Sequence, residues 1–205
     1  MEGLNSAVPP NKTHKLKTLV VSCSLNSQSR SEELARMCEE RLRNDSVVRF
    51  IMLKDYPLNG SDLHEPQNSE VYRKLHEFVL EADGLVLASP VYNWGCCAEL
   101  KRFIEVVGTT PPDGTLQSPF FDKVVAFVNS AGLPHSYMAF SGMALSLMLD
   151  FKCIISPYNV YATDRDWEMG NLSESARNRL IKSMDVILQL TSLLKGRTYR
   201  SGWEI

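Results

Sequence analysis

Long apolar runs are missing from this 205-residue chain, and none approaches the roughly 18–20 residues that a membrane-spanning helix needs. A dominant charge is missing too: 22 basic residues face 24 acidic ones, for a net charge of −2. That balance argues against nucleic acid or a polybasic membrane contact as a partner. Cysteine is sparse and odd in number (Cys23, Cys38, Cys96, Cys97, Cys153), with no CxxC. Free thiols in a cytoplasmic protein fit this pattern better than a disulfide scaffold. The four histidines, His14, His64, His76 and His135, show no metal-ligand spacing. Neither GxGxxG nor a Walker A loop occurs, so the usual dinucleotide and P-loop signatures are absent.

What is present is an ordinary globular composition, 44% apolar and 22% charged, at the length of a single domain. Residues 1–14 carry no apolar stretch of signal-peptide length and are expected to be a short flexible leader, with residues 15–205 as the domain. Along that domain, compact apolar runs alternate with helical patterns. Leu16–Ser22, Val47–Leu53, Gly84–Ser89, Lys123–Ser130 and Cys153–Ala162 read as strands, the last interrupted by Pro157. Between and after them, Ser31–Arg43, a stripe from Val71 to Ala82, Glu99–Val107, Ser136–Asp150 and Ser173–Leu194 read as helices. Five strands with continuous apolar runs, each followed by a helix, predict a three-layer α/β sandwich around a five-stranded parallel sheet. The flavodoxin-like order 2-1-3-4-5 suits five strands, and it puts ligands beyond the carboxyl ends of the strands.

Three strand ends therefore draw the eye. The first, SCSLNSQSRSEELA (Ser22–Ala35), crowds Ser24, Asn26, Ser27, Ser29 and Ser31 around Arg30 where a helix begins. A helix N terminus offers unpaired N–H groups and a positive dipole end, and one arginine adds a charge-assisted hydrogen bond. One serine would read as a helix cap; this many donors point to a phosphate monoester. The second end, Ser89-Pro90-Val91-Tyr92-Asn93-Trp94-Gly95, is stiffened by proline. Its two aromatics can flank a flat ring or pack on a neighbour, and the loop alone leaves both open. The third, Asn129 to Ser136, is rich in small residues that allow close backbone approach. His135 there, like Cys96 and Cys97 nearby, reads as structural.

SCSLNSQSRSEELA resembles the GSxRxxSxxxxLA loop of the NADPH-dependent FMN reductase family, and SPVYNWGCCAELKRFIE resembles its TPxYNxSxxxxLKxxID motif. VNSAGLPHSYMA falls where the family's third flavin loop belongs. The resemblance implies non-covalent FMN, its phosphate held by Ser24, Asn26, Ser29, Arg30 and Ser31. Pro90, Val91, Tyr92, Asn93, Trp94 and Gly95 would line the isoalloxazine, with Ser130, Ala131 and Gly132 closing the other side. It further implies hydride transfer from NADPH to the flavin and on to a small acceptor in ping-pong fashion, with no side chain acting as a catalyst. A homodimer or homotetramer is expected, and the apolar circumference of Ser136–Asp150 suits such an interface. The sequence departs from the motifs at Cys23, Asn26, Trp94, Cys96 and Cys97. The competing expectations are an electron carrier of flavodoxin type, disfavoured by the low net charge, and a flavin-binding sensor without turnover.

Overall fold

The computed structural model describes residues 15–59, 69–109 and 117–202. The leader proposed for residues 1–14 lies outside them, as do parts of the two long loops. The chain runs β1 (Leu16–Ser22), α1 (Arg30–Arg43), β2 (Ser46–Met52), α2 (Glu70–Glu81), β3 (Gly84–Tyr92), β4 (Gly95–Cys96), α3 (Ala98–Gly108), β5 (Val124–Ala131), α4 (Ser141–Phe151), β6 (Ile154–Ile155), β7 (Val160–Thr163), β8 (Trp167–Glu168), β9 (Asn171–Leu172) and α5 (Glu174–Lys195). The main sheet is ordered β2-β1-β3-β5, with β6 and β7 both parallel to the outer edge of β5 and β4 an antiparallel stub on β3. With β6 and β7 counted as one broken strand, this is the 2-1-3-4-5 order of the flavodoxin-like fold.

Alternation explains the unbroken apolar runs. In β1, Leu19 and Val21 join Leu85, Leu87, Val125 and Phe127 on the face covered by α2, α3 and α4. Val20 joins Val86, Ala88, Ala126 and Val128 on the face covered by α1 and α5. Successive side chains point to opposite faces, and both faces are dry. Helix α1 begins at its N-cap Ser29, carries Glu32 and Glu33 in its first turn and Arg41 and Arg43 in its last, and so suits its own dipole at both ends. His76, on α2, is buried, stacks near Tyr72 and faces the Gln117 carbonyl at 3.4 Å; burial pushes its pKa down, as befits a core histidine.

Three elements differ from the sequence pattern. β3 continues past Ser89 through Pro90 to Tyr92. Its pairing with β1 ends at Ala88, whose carbonyl accepts from the Cys23 amide at 2.8 Å. Pro90, two residues on, turns its missing donor to that same side, where β1 has already ended. Helix α4 starts at Ser141 rather than Ser136, because Pro134–Ser136 forms a separate 3-10 turn. The fifth strand is two short pieces. Across the gap the Phe127 amide donates to Asn159 Oδ1 at 2.9 Å, so a side chain stands in for the strand.

Two close approaches carry predictions. Gly108 ends α3, and a Cβ there would lie 2.4 Å from Cζ of Phe151. Phe151 is itself wedged against Phe120, with ring centroids 5.4 Å apart. Gly108→Ala is expected to cost about 1–3 kcal/mol by overpacking, read as a fall in melting temperature of about 2–4 °C for each kcal/mol. At the same end of the sheet, where the Asp122 amide donates to the Phe151 carbonyl at 3.1 Å, the Asp122 carboxylate accepts from Ser201 Oγ at 2.5 Å and Ser201 N at 3.1 Å, and Arg197 lies 3.4 Å away. Burial opposes the carboxylate, but the two Ser201 hydrogen bonds and Arg197 outweigh it and hold its pKa below the ordinary value. A carboxylate depressed in the folded state contributes stability that is full above the unfolded pKa, about 4, and lost as pH falls through the folded value. Asp122→Asn is therefore expected to lower stability at neutral pH by about 1–3 kcal/mol and to flatten the acid limb of a melting-temperature-versus-pH curve.

Candidate functional site

The carboxyl ends of β1, β3 and β5 lie side by side, and the three loops singled out in the sequence meet there. In the first loop, Ser24 Oγ accepts from the Asn26 amide at 3.1 Å, and Asn26 Oδ1 accepts from the Gln28 amide at 3.0 Å. These two short turns give the loop its shape. Ser29 Oγ accepts from Glu32 N at 3.3 Å and sits 2.9 Å from Ser31 Oγ. Ser24, Ser29 and Ser31 are buried, whereas Asn26 and Arg30 face solvent. Cys23 points away from the loop into the core beneath α2, α3 and α4, so it does not crowd the loop.

Arg30 makes no ion pair among the described residues; its guanidinium lies 4.2 Å over the ring of Trp167. The sequence reading missed the partner. Trp167 opens the β8–β9 hairpin, whose tip, Met169-Gly170, takes positive φ at both residues. A turn-forming Gly-Asn between Trp167 and Leu172 was the available signal. A cleft of about 480 Å³ opens beside the first turn of α1, lined by Ser27, Ser29, Arg30, Arg36 and Gly170. Glu32 also borders it, but Lys54 at 2.9 Å and Arg36 at 3.0 Å neutralise its charge.

The second loop is a two-residue hairpin. Tyr92 pairs with Gly95, and Asn93 and Trp94 between them have φ of +48° and +67°. Asparagine tolerates this conformation, whereas a bulky aromatic does so only under strain. Tyr92 is 56% exposed and Trp94 68%, while Pro90 is buried and Val91 and Gly95 are half-buried. Ser89 fastens the base of the hairpin: its Oγ accepts from Cys97 N at 3.1 Å and donates to the Pro90 carbonyl at 2.8 Å. In the third loop Ser130 is half-buried, Ala131 buried and Gly132 exposed. Ser136 Oγ is 2.9 Å from Tyr161 Oη, which also donates to the Leu133 carbonyl. His135 is exposed in the 3-10 turn.

Two buried oxygens at these strand ends, Ser22 Oγ and Asn129 Oδ1, have no hydrogen-bond partner among the described residues. Unmet polar atoms of this kind are costly unless a ligand or water completes them. In the sequence Asn129 figures only as the first residue of the third strand end, at the close of KVVAFVNS. Together, the N–H-rich start of α1, a free guanidinium and a rigid aromatic turn can hold an anionic group joined to a flat ring. That donor set fits FMN. Among the described residues no group of three His, Cys, Asp or Glu could hold a metal ion, and no helix is long and apolar enough to cross a membrane.

Solved structures share this architecture at low identity. An oxidoreductase from Corynebacterium diphtheriae aligns with 91% of this chain and 100% of its own, at TM-score 0.68 and 17% identity. An NADH:FMN oxidoreductase in its apo form aligns with 85% of this chain and 89% of its own, at TM-score 0.67 and 18% identity. FerB, a flavoenzyme NAD(P)H:(acceptor) oxidoreductase from Paracoccus denitrificans, aligns with 85% and 98%, at 0.65 and 16%. No curated protein matches the chain by sequence. The sequence pattern of the NADPH-dependent FMN reductases, by contrast, matches residues 16–168, three-quarters of the chain and all three loops. The chain belongs to that family of flavin-dependent NAD(P)H oxidoreductases.

Proposed function

We propose that the chain holds FMN non-covalently at the carboxyl rim of the sheet and uses it to pass hydride from NADPH to a small acceptor. The observation that carries this reading is the meeting of the α1 N terminus, with its unpaired Arg30, and the rigid Tyr92–Gly95 turn at one end of the sheet. In this reading Ser24, Asn26, Ser29, Arg30 and Ser31 surround the phosphate. Backbone amides of the first turn and the Arg30 guanidinium supply the charge-assisted bonds. Pro90 to Gly95 border the ring, and Ser130 to Gly132 border its opposite side. When bound, FMN would supply the redox chemistry for a ping-pong transfer of hydride from NADPH to free flavin, a quinone or a similar acceptor.

The residues orient and shield. Amides of the Tyr92–Gly95 turn would stabilise negative charge on a ring held against them, without reorganisation because the hairpin is already formed. Tyr92 and Trp94 offer aromatic faces that exclude water from one side of it. No side-chain base or nucleophile is required. The setting is cytoplasmic, where the five thiols stay reduced.

The test is anaerobic. One equivalent of FMN is added to the purified chain, then NADPH, and the visible flavin band is followed. Bleaching that free FMN does not show is the expected result. A band shifted by binding but unbleached would make the chain a carrier or sensor, and no shift would remove FMN altogether.

The same reading includes a homodimer or homotetramer. Helix α4 buries Leu147 and Phe151 but leaves Leu145, Met148 and Leu149 exposed, beside exposed Tyr137 and Met138. An apolar surface of this kind is the kind that interfaces cover. Light scattering is expected to give twice or four times the chain mass, and Leu149→Glu to shift it to one. A wild-type monomer would sink this part of the reading.

A further inference from the structure

The β8–β9 hairpin is a two-stranded sheet of its own, apart from the main one. Asp166, immediately before it, fixes its place. One carboxylate oxygen accepts from the Thr163 amide at 2.8 Å and the Thr163 hydroxyl at 2.9 Å, and the other accepts from the Arg179 guanidinium at 2.7 Å. The Asp166 carbonyl accepts from the Ser173 amide at 2.8 Å, just past β9. A single residue thus ties the hairpin to the end of β7, to α5 and to its own far strand. Trp167 comes next, 9% exposed, in the apolar cluster that α1 and α5 cover.

Packing alone does not account for Trp167. Its indole N–H is buried with no hydrogen-bond partner among the described residues, although a buried tryptophan ordinarily finds one. A phenylalanine or leucine would fill the same place without that cost. What tryptophan adds is the strongest ring face for a cation, and a cation lies on it. Arg30 is exposed in the first turn of α1, with Glu33 at the three-residue spacing of a helical ion pair. No such pair forms, and the guanidinium lies 4.2 Å over the Trp167 ring instead. A carboxylate would occupy the guanidinium N–H groups, whereas a ring face leaves them for another acceptor.

We propose that Trp167 is a positioning residue of the phosphate site: its ring is a shelf that keeps Arg30 from Glu33 and holds it at the cleft between α1 and the hairpin. Ser29 and Arg30 line that cleft from the helix side, and Gly170 lines it from the hairpin tip. A free arginine side chain has several rotatable bonds to immobilise when it binds an anion. On the shelf they are immobilised beforehand, and the shelf itself is fixed by Asp166. The proposal rests on the FMN reading above, and it gives the hairpin the task of favouring a phosphorylated flavin over the same ring without phosphate.

The experiment is a double-mutant cycle on the full chain, read by quenching of flavin fluorescence with FMN and with riboflavin. Trp167→Leu is expected to weaken FMN binding about 3- to 10-fold, the cost of immobilising one long side chain, and to leave riboflavin unchanged. In an Arg30→Ala background the same substitution should cost FMN nothing further. Trp167→Phe keeps a ring face and should stay within about twofold of the wild type. A measurement on the unaltered fold stands beside the cycle. The Arg30 side-chain N–H signal in a nitrogen–proton correlation spectrum, identified by its loss in Arg30→Ala, should be displaced upfield by the indole ring current. Equal losses for FMN and riboflavin, losses that add in the cycle, or an undisplaced Arg30 signal would overturn the proposal and leave the FMN reading standing. A wild-type chain that binds FMN no better than riboflavin, or binds neither, would remove the phosphate site and this role with it.

Discussion

Arg30→Ala is expected to weaken FMN binding about 10- to 150-fold and to leave riboflavin binding unchanged. The magnitude is that of one hydrogen bond to a charged group, about 1.5–3 kcal/mol. It applies in full because Arg30 is the only cation in the first loop and has no ion-pair partner among the described residues. Riboflavin is the informative control, since it carries the ring without the phosphate. Arg30→Lys keeps the charge but gives up the planar stack on Trp167, 4.2 Å away, and should recover only part of the affinity. The measurement is quenching of flavin fluorescence. Equal losses for FMN and riboflavin would show that Arg30 acts by holding the β8–β9 hairpin, and an unchanged FMN affinity would remove it from the phosphate site.

The second large effect has opposite signs in two assays. Trp94 has φ of +67° in a two-residue hairpin whose other central residue, Asn93, suits that geometry. A left-handed conformation costs a residue with a Cβ roughly 1–2 kcal/mol, and Asn-Gly is the pair this turn favours. Trp94→Gly is therefore expected to raise stability by about 1 kcal/mol, after the entropy glycine adds to the unfolded chain. Thermal melts should show an upward shift of about 2–4 °C. FMN binding should weaken about 2- to 10-fold, because an aromatic face contributes roughly 0.5–1.5 kcal/mol. A destabilised variant would mean that the indole packs against protein and that its strain serves the fold.

Strands were legible where both faces are dry. Leu16–Ser22 matches its observed bounds, and β5 is displaced by one residue from Lys123–Ser130, because a run buried on both sides has only one stable environment. The start of α4 was not legible. Residues 136–140 have helical apolar spacing, yet the Pro134–Ser136 turn and the Tyr161 contacts hold that stretch in another geometry. At the site, the clustering of loop hydroxyls could be read, but not which of them bond one another. Ser29 with Ser31, and Ser24 with Asn26, are contacts that only three-dimensional placement reveals. Trp167 lies 137 positions from Arg30, too far for any local pattern to join them. Ser22 and Asn129 show their interest only through unmet oxygens, which a sequence does not display.

The broken fifth strand has a consequence for colloidal behaviour. An intact edge strand exposes a row of unpaired N–H and C=O groups on which another chain can grow. Here that edge is a two-residue piece and a four-residue piece, and the Asn159 side chain occupies the stretch between them. No template of the five or six residues that cross-strand growth needs remains there. The opposite edge, β2, keeps seven residues with exposed Val47, interrupted by Arg49, which pairs with Glu81 at 3.3 Å. Among the described residues the longer open border of the main sheet is therefore β2, where Arg49 interrupts the strand, and Arg49→Ala is expected to raise the rate of aggregation followed by light scattering.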